Sequence, residues 1–159
     1  MAKWQPSPDE PVNVQERVGR RLFDEPILNG TSGQKAYAGI KLTHFQERRG
    51  PNVSVDRLGR TGIEPKVIGF LRPLCGNAAT NFQTPLSFDG WAVVKVAEIT
   101  SPRLKWCQSS DVLPSPIKEP PDEVNPYHAH IVRPRDLDEN MYALILRHIF
   151  VTYGEICRP

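Results

Sequence analysis

The stretch Trp91-Ala-Val-Val-Lys-Val-Ala-Glu-Ile99 is the strongest β-strand signal in the chain. β-branched and aromatic residues dominate it, and both of its alternating sets of side chains are largely apolar. A strand that is apolar on both faces is typical of the interior of a sheet. We therefore predict that residues 91–99 form a central strand with other elements packed against it.

Further strand signals lie on both sides of this stretch. They cover Ala36–Phe45, Asn52–Leu58, Lys66–Leu71 and Tyr127–Val132. Pro126 and Pro134 border the last segment, which is typical of an edge strand or of a strand with proline at its ends. The proline-rich residues 114–121 predict an ordered surface connection that is neither a helix nor a central strand.

Two helices are predicted, one towards each end of the chain. Val14, Val18 and Leu22 recur every four residues and predict a short amphipathic helix. Residues 136–153 predict a longer helix that Asp136 would cap. The apolar stripe that we expect this helix to bury comprises Tyr142, Ile145, Leu146, Ile149 and Tyr153.

The length of 159 residues suits one compact domain. Prolines are concentrated in residues 1–11, which we expect to be a flexible lead-in. Residues 12–159 then form a single α+β domain, in which an N-terminal and a C-terminal helix pack on a mostly antiparallel, twisted sheet.

Composition narrows the function classes. The formal net charge of +2 is too small to indicate nucleic acid or a membrane by itself. No apolar stretch approaches the ~20 residues of a membrane span, and the N-terminus lacks the apolar region of a secretory signal. The three cysteines (Cys75, Cys107 and Cys157) are odd in number and widely spaced, which favours reduced thiols in a cytoplasmic protein.

Histidines are the first candidates for chemistry. His128 and His130 lie two residues apart in a predicted strand, so their rings should project from the same face of the sheet. His44 and one of these two histidines could act as general acid and base on opposite sides of a scissile phosphate. Alternatively, His128 and His130 could hold a divalent metal, which is the one cofactor that the sequence suggests.

A basic segment is the second candidate. Residues 41–66 contain six positive and three negative side chains, a net charge of +3. The residues that we predict to bind an anion are Arg48, Arg49, Ser54, Arg57 and Arg60. Alternation would place Ser54 and Asp56 on one face and Arg57 on the other. Ser54 lacks a Gly-x-Ser-x-Gly elbow, and the chain has neither a Gly-x-Gly-x-x-Gly nor a Walker A motif.

Three function classes follow. The protein is either an enzyme acting on a phosphodiester or nucleotide, a binding module for a protein or nucleic acid, or a metal-binding protein. The binding module would use the basic residues 41–66 or the proline-rich residues 114–121. The enzyme requires that His44 lie within reach of His128 and His130, whereas the binding module does not. The sequence alone sets neither the substrate nor the oligomeric state.

Overall fold

The computed structural model describes residues 6, 10–23, 45–46, 52–60, 65–80, 88–119 and 123–157. In chain order the elements are β1 (Arg17–Phe23), β2 (Val53–Gly59), α1 (Pro65–Thr80), β3 (Phe88–Lys95), α2 (Val96–Thr100), β4 (Val112–Pro114), β5 (Ile117–Glu119), β6 (Glu123–Asn125), β7 (His128–Ile131), α3 (Glu139–Tyr153) and β8 (Glu155–Cys157). Six strands form an antiparallel sheet in the order β4-β7-β2-β1-β3-β8, and β5 pairs with β6. Among the described residues the fold is therefore α+β, as the sequence predicts.

Helices cover both faces of the six-stranded sheet. On one face, Ala92 and Val94 pack in a core with residues of α2 and α3. On the other face, Trp91 and Val93 pack with Leu71 and other residues of α1. We call these the α3 face and the α1 face. The apolar side chains on both sides of β3 confirm the predicted interior strand.

The first segment of the chain is a strand where the sequence predicts a helix. Val18 and Leu22 both point to the α3 face, from β1. A spacing of four residues returns a side chain to the same face of a helix and also of a strand, so the pattern cannot distinguish them. The structure places β1 between β2 and β3, where sheet hydrogen bonds on both edges decide the outcome.

The residues 66–71, which the sequence predicts as a strand, lie instead in α1. Val67, Leu71 and Cys75 recur every four residues and are all completely buried against the sheet. Pro65 starts the helix, at the position where its missing N–H costs least. A short apolar run is ambiguous between strand and buried helix, and here the longer helical repeat determines the structure.

The predicted central strand ends earlier than expected. It stops at Lys95, and residues 96–100 form α2. The backbone N–H groups of Val96 and Ala97 donate to the carbonyl oxygens of Glu16 and Val14. The segment before β1 therefore accepts the backbone hydrogen bonds of the first two residues of α2, at the position where β3 ends.

Proline does not prevent pairing in residues 114–121. Pro114 ends β4, which lies at the edge of the sheet, where a missing N–H is tolerated. Ile117–Glu119 forms β5, which pairs with β6 outside the six-stranded sheet, so the predicted surface connection contains a short strand. The last helix is confirmed, but Asp138 caps it instead of Asp136, by accepting from the backbone N–H of Met141 at 2.8 Å.

Strand β2 buries two adjacent charges of opposite sign. Asp56 is 1% exposed, and Arg57 is completely buried. The Arg57 guanidinium donates to both carboxylate oxygens of Glu16 at 2.9 Å and to backbone oxygens in residues 10–11. An uncompensated buried charge is costly, so the ion pair between Arg57 and Glu16 holds the segment before β1 against β2.

We predict that Glu16→Gln lowers the free energy of unfolding by about 3–5 kcal/mol, because it leaves the buried Arg57 guanidinium without a countercharge. Urea denaturation measures the loss. Arg103→Gln is the control, because it removes the exposed ion pair of Arg103 with Glu98 and should shift the urea midpoint far less. An equal shift in both variants would contradict the assigned role of the buried pair.

A second prediction concerns Gly154, where α3 ends against β3. A Cβ at this position would lie 2.3 Å from the carbonyl oxygen of Val93 and 2.4 Å from that of Phe150. Because both atoms belong to backbone, Gly154→Ala should destabilise the protein by about 1–3 kcal/mol in thermal denaturation. Gly69→Ala in α1 meets no atom within 4 Å and should stabilise it by about 0.5–1 kcal/mol. A neutral Gly154→Ala variant would disprove the close approach.

Candidate functional site

The register of β2 and β7 brings two histidines beside a serine and an aspartate. His128 pairs with Asp56, and His130 pairs with Ser54. The intervening Ala129 lies in the core of the α3 face, so both histidine rings project from the α1 face. Side chains at paired positions of antiparallel strands have Cβ atoms about 4.5–5.5 Å apart. These four side chains therefore form one polar row, which we call the histidine row.

Asp56 anchors one end of the histidine row. Its Oδ2 atom accepts hydrogen bonds from Arg21 Nε at 2.8 Å and from Trp91 Nε1 at 2.9 Å. Its Oδ1 atom accepts from Arg21 Nη2 at 2.9 Å, which makes the ion pair bidentate. Arg21 on β1 thus bonds to both carboxylate oxygens, and Trp91 on β3 bonds to Oδ2. These hydrogen bonds hold the Asp56 carboxylate in one position beside His128.

The ring of His128 is held in one orientation. Its Nδ1 atom lies 2.6 Å from the carbonyl oxygen of Ser115, in the segment that follows β4. A carbonyl oxygen only accepts, so Nδ1 carries the hydrogen, and in the neutral ring Nε2 keeps its lone pair. His128 is 8% exposed. Nε2 is therefore the ring nitrogen that His128 can offer as a base or metal ligand.

His130 is more exposed to solvent than His128. Partial burial lowers its pKa below the usual 6.5, and the neighbouring His128 lowers the pKa further. The His130 ring is therefore neutral at pH 7 and able to accept a proton. A positive charge on His128 opposes protonation of His130, which is the second cause of its lowered pKa.

The other predicted site residues do not join this row among the described residues. Arg57 points to the α3 face and is engaged by Glu16, so it belongs to the internal ion pair described above. Arg60 follows the opposite end of β2 from Ser54, about 20 Å away at ~3.3 Å per strand residue. The remaining predicted residues, His44, Arg48 and Arg49, lie outside the described residues.

Metal coordination by the row rests on two imidazoles. Within the described ranges, no group of three or more His, Cys, Asp and Glu side chains is arranged to hold a metal ion. His128 and His130 would need further ligands from water or from residues beyond those ranges.

A cleft of about 280 Å³ lies at the opposite end of the sheet from His130. Its lining includes Arg17, Lys95, Glu98, Arg103, Tyr153 and Glu155. Its two acidic side chains are both in ion pairs, Glu155 with Arg17 and Glu98 with Arg103. None of the predicted site residues that the structure describes lines this cleft.

Sequence reasoning missed Arg21, Trp91 and Ser115. Arg21 follows Arg20 in a segment predicted as helix, and only a strand sends these two neighbours to opposite faces. The sequence predicts Trp91 as an ordinary core residue, because nothing in it indicates which acceptor the Nε1 atom meets. Ser115 acts through its backbone oxygen, which every residue possesses, so residue type could not have indicated it.

Comparisons with protein-family models, with curated proteins and with solved structures find no match to this chain. None of the helices in the described ranges is both long enough and apolar enough to cross a membrane.

We predict that the imidazole of His130 titrates below pH 6.5 in an NMR pH series. His128→Gln should raise that midpoint only in part, because burial is the larger cause and remains. The unfolded chain binds the proton more readily than the native ring does. Stability should therefore fall as the pH drops below 6.5 towards the native pKa, and His130→Gln should reduce that fall. A midpoint at or above 6.5 would contradict the proposed environment.

Proposed function

We propose that the protein is a histidine-dependent enzyme that acts on a phosphodiester or nucleotide, with His128 and His130 moving the proton. One observation carries the proposal: two imidazoles lie side by side on one face of the sheet, and Ser115 leaves Nε2 of His128 available. Such a pair can carry out acid–base chemistry on a phosphate ester, in which one ring accepts a proton while the other donates one.

The proton transfers can be assigned to individual rings. Neutral His130 takes the proton from an attacking water as its oxygen bonds to phosphorus. Protonated His128 gives the proton on Nε2 to the leaving oxygen as the phosphorus–oxygen bond breaks. His128 keeps its Nδ1 hydrogen bond to Ser115 throughout. The lowered pKa of His130 supports its role as the base, since the base must be neutral before the reaction begins.

Among the described residues, we assign substrate binding to Ser54. Ser54 is the strand partner of His130, so its hydroxyl is close enough to share a bound phosphoryl group. The Arg20 guanidinium donates to the carbonyl oxygens of Ser54, at 2.7 Å, and Gln46, at 3.5 Å. Gln46 borders the segment that carries Arg48 and Arg49. Gln46 lies on the α3 face, across the sheet from the histidine row, because Phe45 packs on Phe150 and the Gln46 side chain donates to Asn140. The phosphate-binding role of both arginines therefore stays a prediction from the sequence.

The experiment follows hydrolysis of a single-stranded RNA oligonucleotide and of bis(4-nitrophenyl) phosphate by the full chain. His128→Ala and His130→Ala should each lower the rate by about 10²–10⁴-fold, because each removes one proton transfer. The matched control is His148→Ala, which removes the third described histidine, on α3 across the sheet. Its rate should stay within a few-fold of the unmodified protein.

The pH dependence separates the two roles. Loss of the base should remove the acidic limb of the rate profile, whereas loss of the acid should remove the alkaline limb. Full activity in the double variant would overturn the enzymatic proposal. Unchanged oligonucleotide affinity in that variant, with no hydrolysis by the unmodified protein, would favour the binding module.

A further inference from the structure

The outward side of α3 carries an exposed apolar stripe. Met141 and Leu144 are each 45% exposed, and Trp106 is 52% exposed. The Trp106 ring packs on His148, with ring centroids 4.9 Å apart. Positions 141, 144 and 148 are three and four residues apart, so they share one side of the helix. We call Met141, Leu144, His148 and Trp106 the α3 stripe.

Opposite charges lie at the two ends of the α3 stripe. The exposed charged residues at the start of the helix are Arg135, Asp136, Asp138 and Glu139, with a net charge of −2. The exposed charged residues beside Trp106 are Arg103 and Lys105, with a net charge of +2. Lys105 is exposed, and the Arg103 side chain is 64% exposed even though it pairs with Glu98. Counted over the described residues, the surface is thus apolar in the middle, acidic at one end and basic at the other.

We propose that the α3 stripe is a homodimer interface in which a second copy of this chain packs its own α3 antiparallel to the first. A two-fold axis near Leu144 brings the two Leu144 side chains together and sets Met141 of each copy against Trp106 of the other. The same rotation places the acidic end of each helix beside the basic end of its partner. The stripe is therefore complementary to itself, which a two-fold interface requires.

The charge pattern favours a second copy over other occupants. A nucleic acid or an anionic membrane would meet the basic end favourably, but the acidic residues at the other end would repel it. An uncharged apolar partner would leave both charged ends unmatched. The antiparallel copy satisfies the apolar centre and both ends at once.

This interface is independent of the proposed catalytic function. It lies on the α3 side of the sheet, whereas the histidine row projects from the α1 face. His128→Ala should therefore lower the rate of hydrolysis without changing the dimer, so failure of either proposal leaves the other testable.

Sedimentation equilibrium of the full chain from about 1 to 200 µM tests the interface. We expect a reversible monomer–dimer equilibrium, and Leu144→Glu should raise the dissociation constant at least tenfold by placing charge at the apolar centre. Leu113→Glu is the matched control: Leu113 is also 45% exposed but lies on β4, so its substitution should leave the constant unchanged. Circular dichroism establishes that each variant is folded.

Charge reversal tests the antiparallel orientation. Lys105→Glu should weaken the dimer, and Lys105→Glu combined with Asp136→Lys should restore most of the lost affinity. High salt should reduce the effect of both changes, because contacts near the rim of an interface are screened. Asp136 is suited to this exchange because Asp138, and not Asp136, caps the helix.

Three outcomes would overturn the proposal. The unmodified chain could remain monomeric at 200 µM, Leu144→Glu could dimerise as well as the unmodified chain, or the double charge exchange could weaken the dimer further. If the chain is monomeric and Trp106→Ala instead lowers its affinity for an oligodeoxythymidine, the stripe serves a nucleic acid.

Discussion

The buried charges of Asp56 and Arg57 constrain the arrangement of the sheet. They are consecutive residues of one strand and therefore point to opposite faces, where each meets a different partner. A slip of one residue in β2 would send both side chains to the wrong face and leave two ions unpaired in the interior. With β2 fixed, its neighbours β1 and β7 are fixed as well, and the positions of His128 and His130 follow.

The sequence predicted those parts of the fold where one pattern excludes the others. Ser54 and Asp56 alternate with valines, which predicts a strand and not a helix. The apolar stripe of α3 runs for several turns, which predicts a helix and not a strand. Prediction failed where a pattern satisfied two structures. Val18 and Leu22 fit a helix as well as a strand, and the short run around Val67 does the same. In both cases the packing of distant segments decided, which local spacing cannot express.

The candidate site was predictable only in its local part. A spacing of two residues sufficed to place His128 and His130 on one face, because alternation along a strand is a local property. The positions of Ser54 and Asp56 beside them depend on how two strands pair, which no single segment specifies. Arg57 shows why. The sequence does not tell whether an arginine is buried or binds phosphate, and only the contact with Glu16, 41 residues away in the chain, shows that Arg57 is buried in an internal ion pair.

The strand order also has a consequence for how the chain acquires its structure. Val18 pairs with both Arg57 and Val94, Val53 pairs with Ile131, and Trp91 pairs with Cys157. Almost every sheet contact thus joins residues far apart in the chain, and loops must close before those contacts can form. Such a topology folds slowly. During synthesis β1 is made before both of its neighbours, so its two edges stay unpaired until β2 and then β3, which ends at Lys95, have left the ribosome.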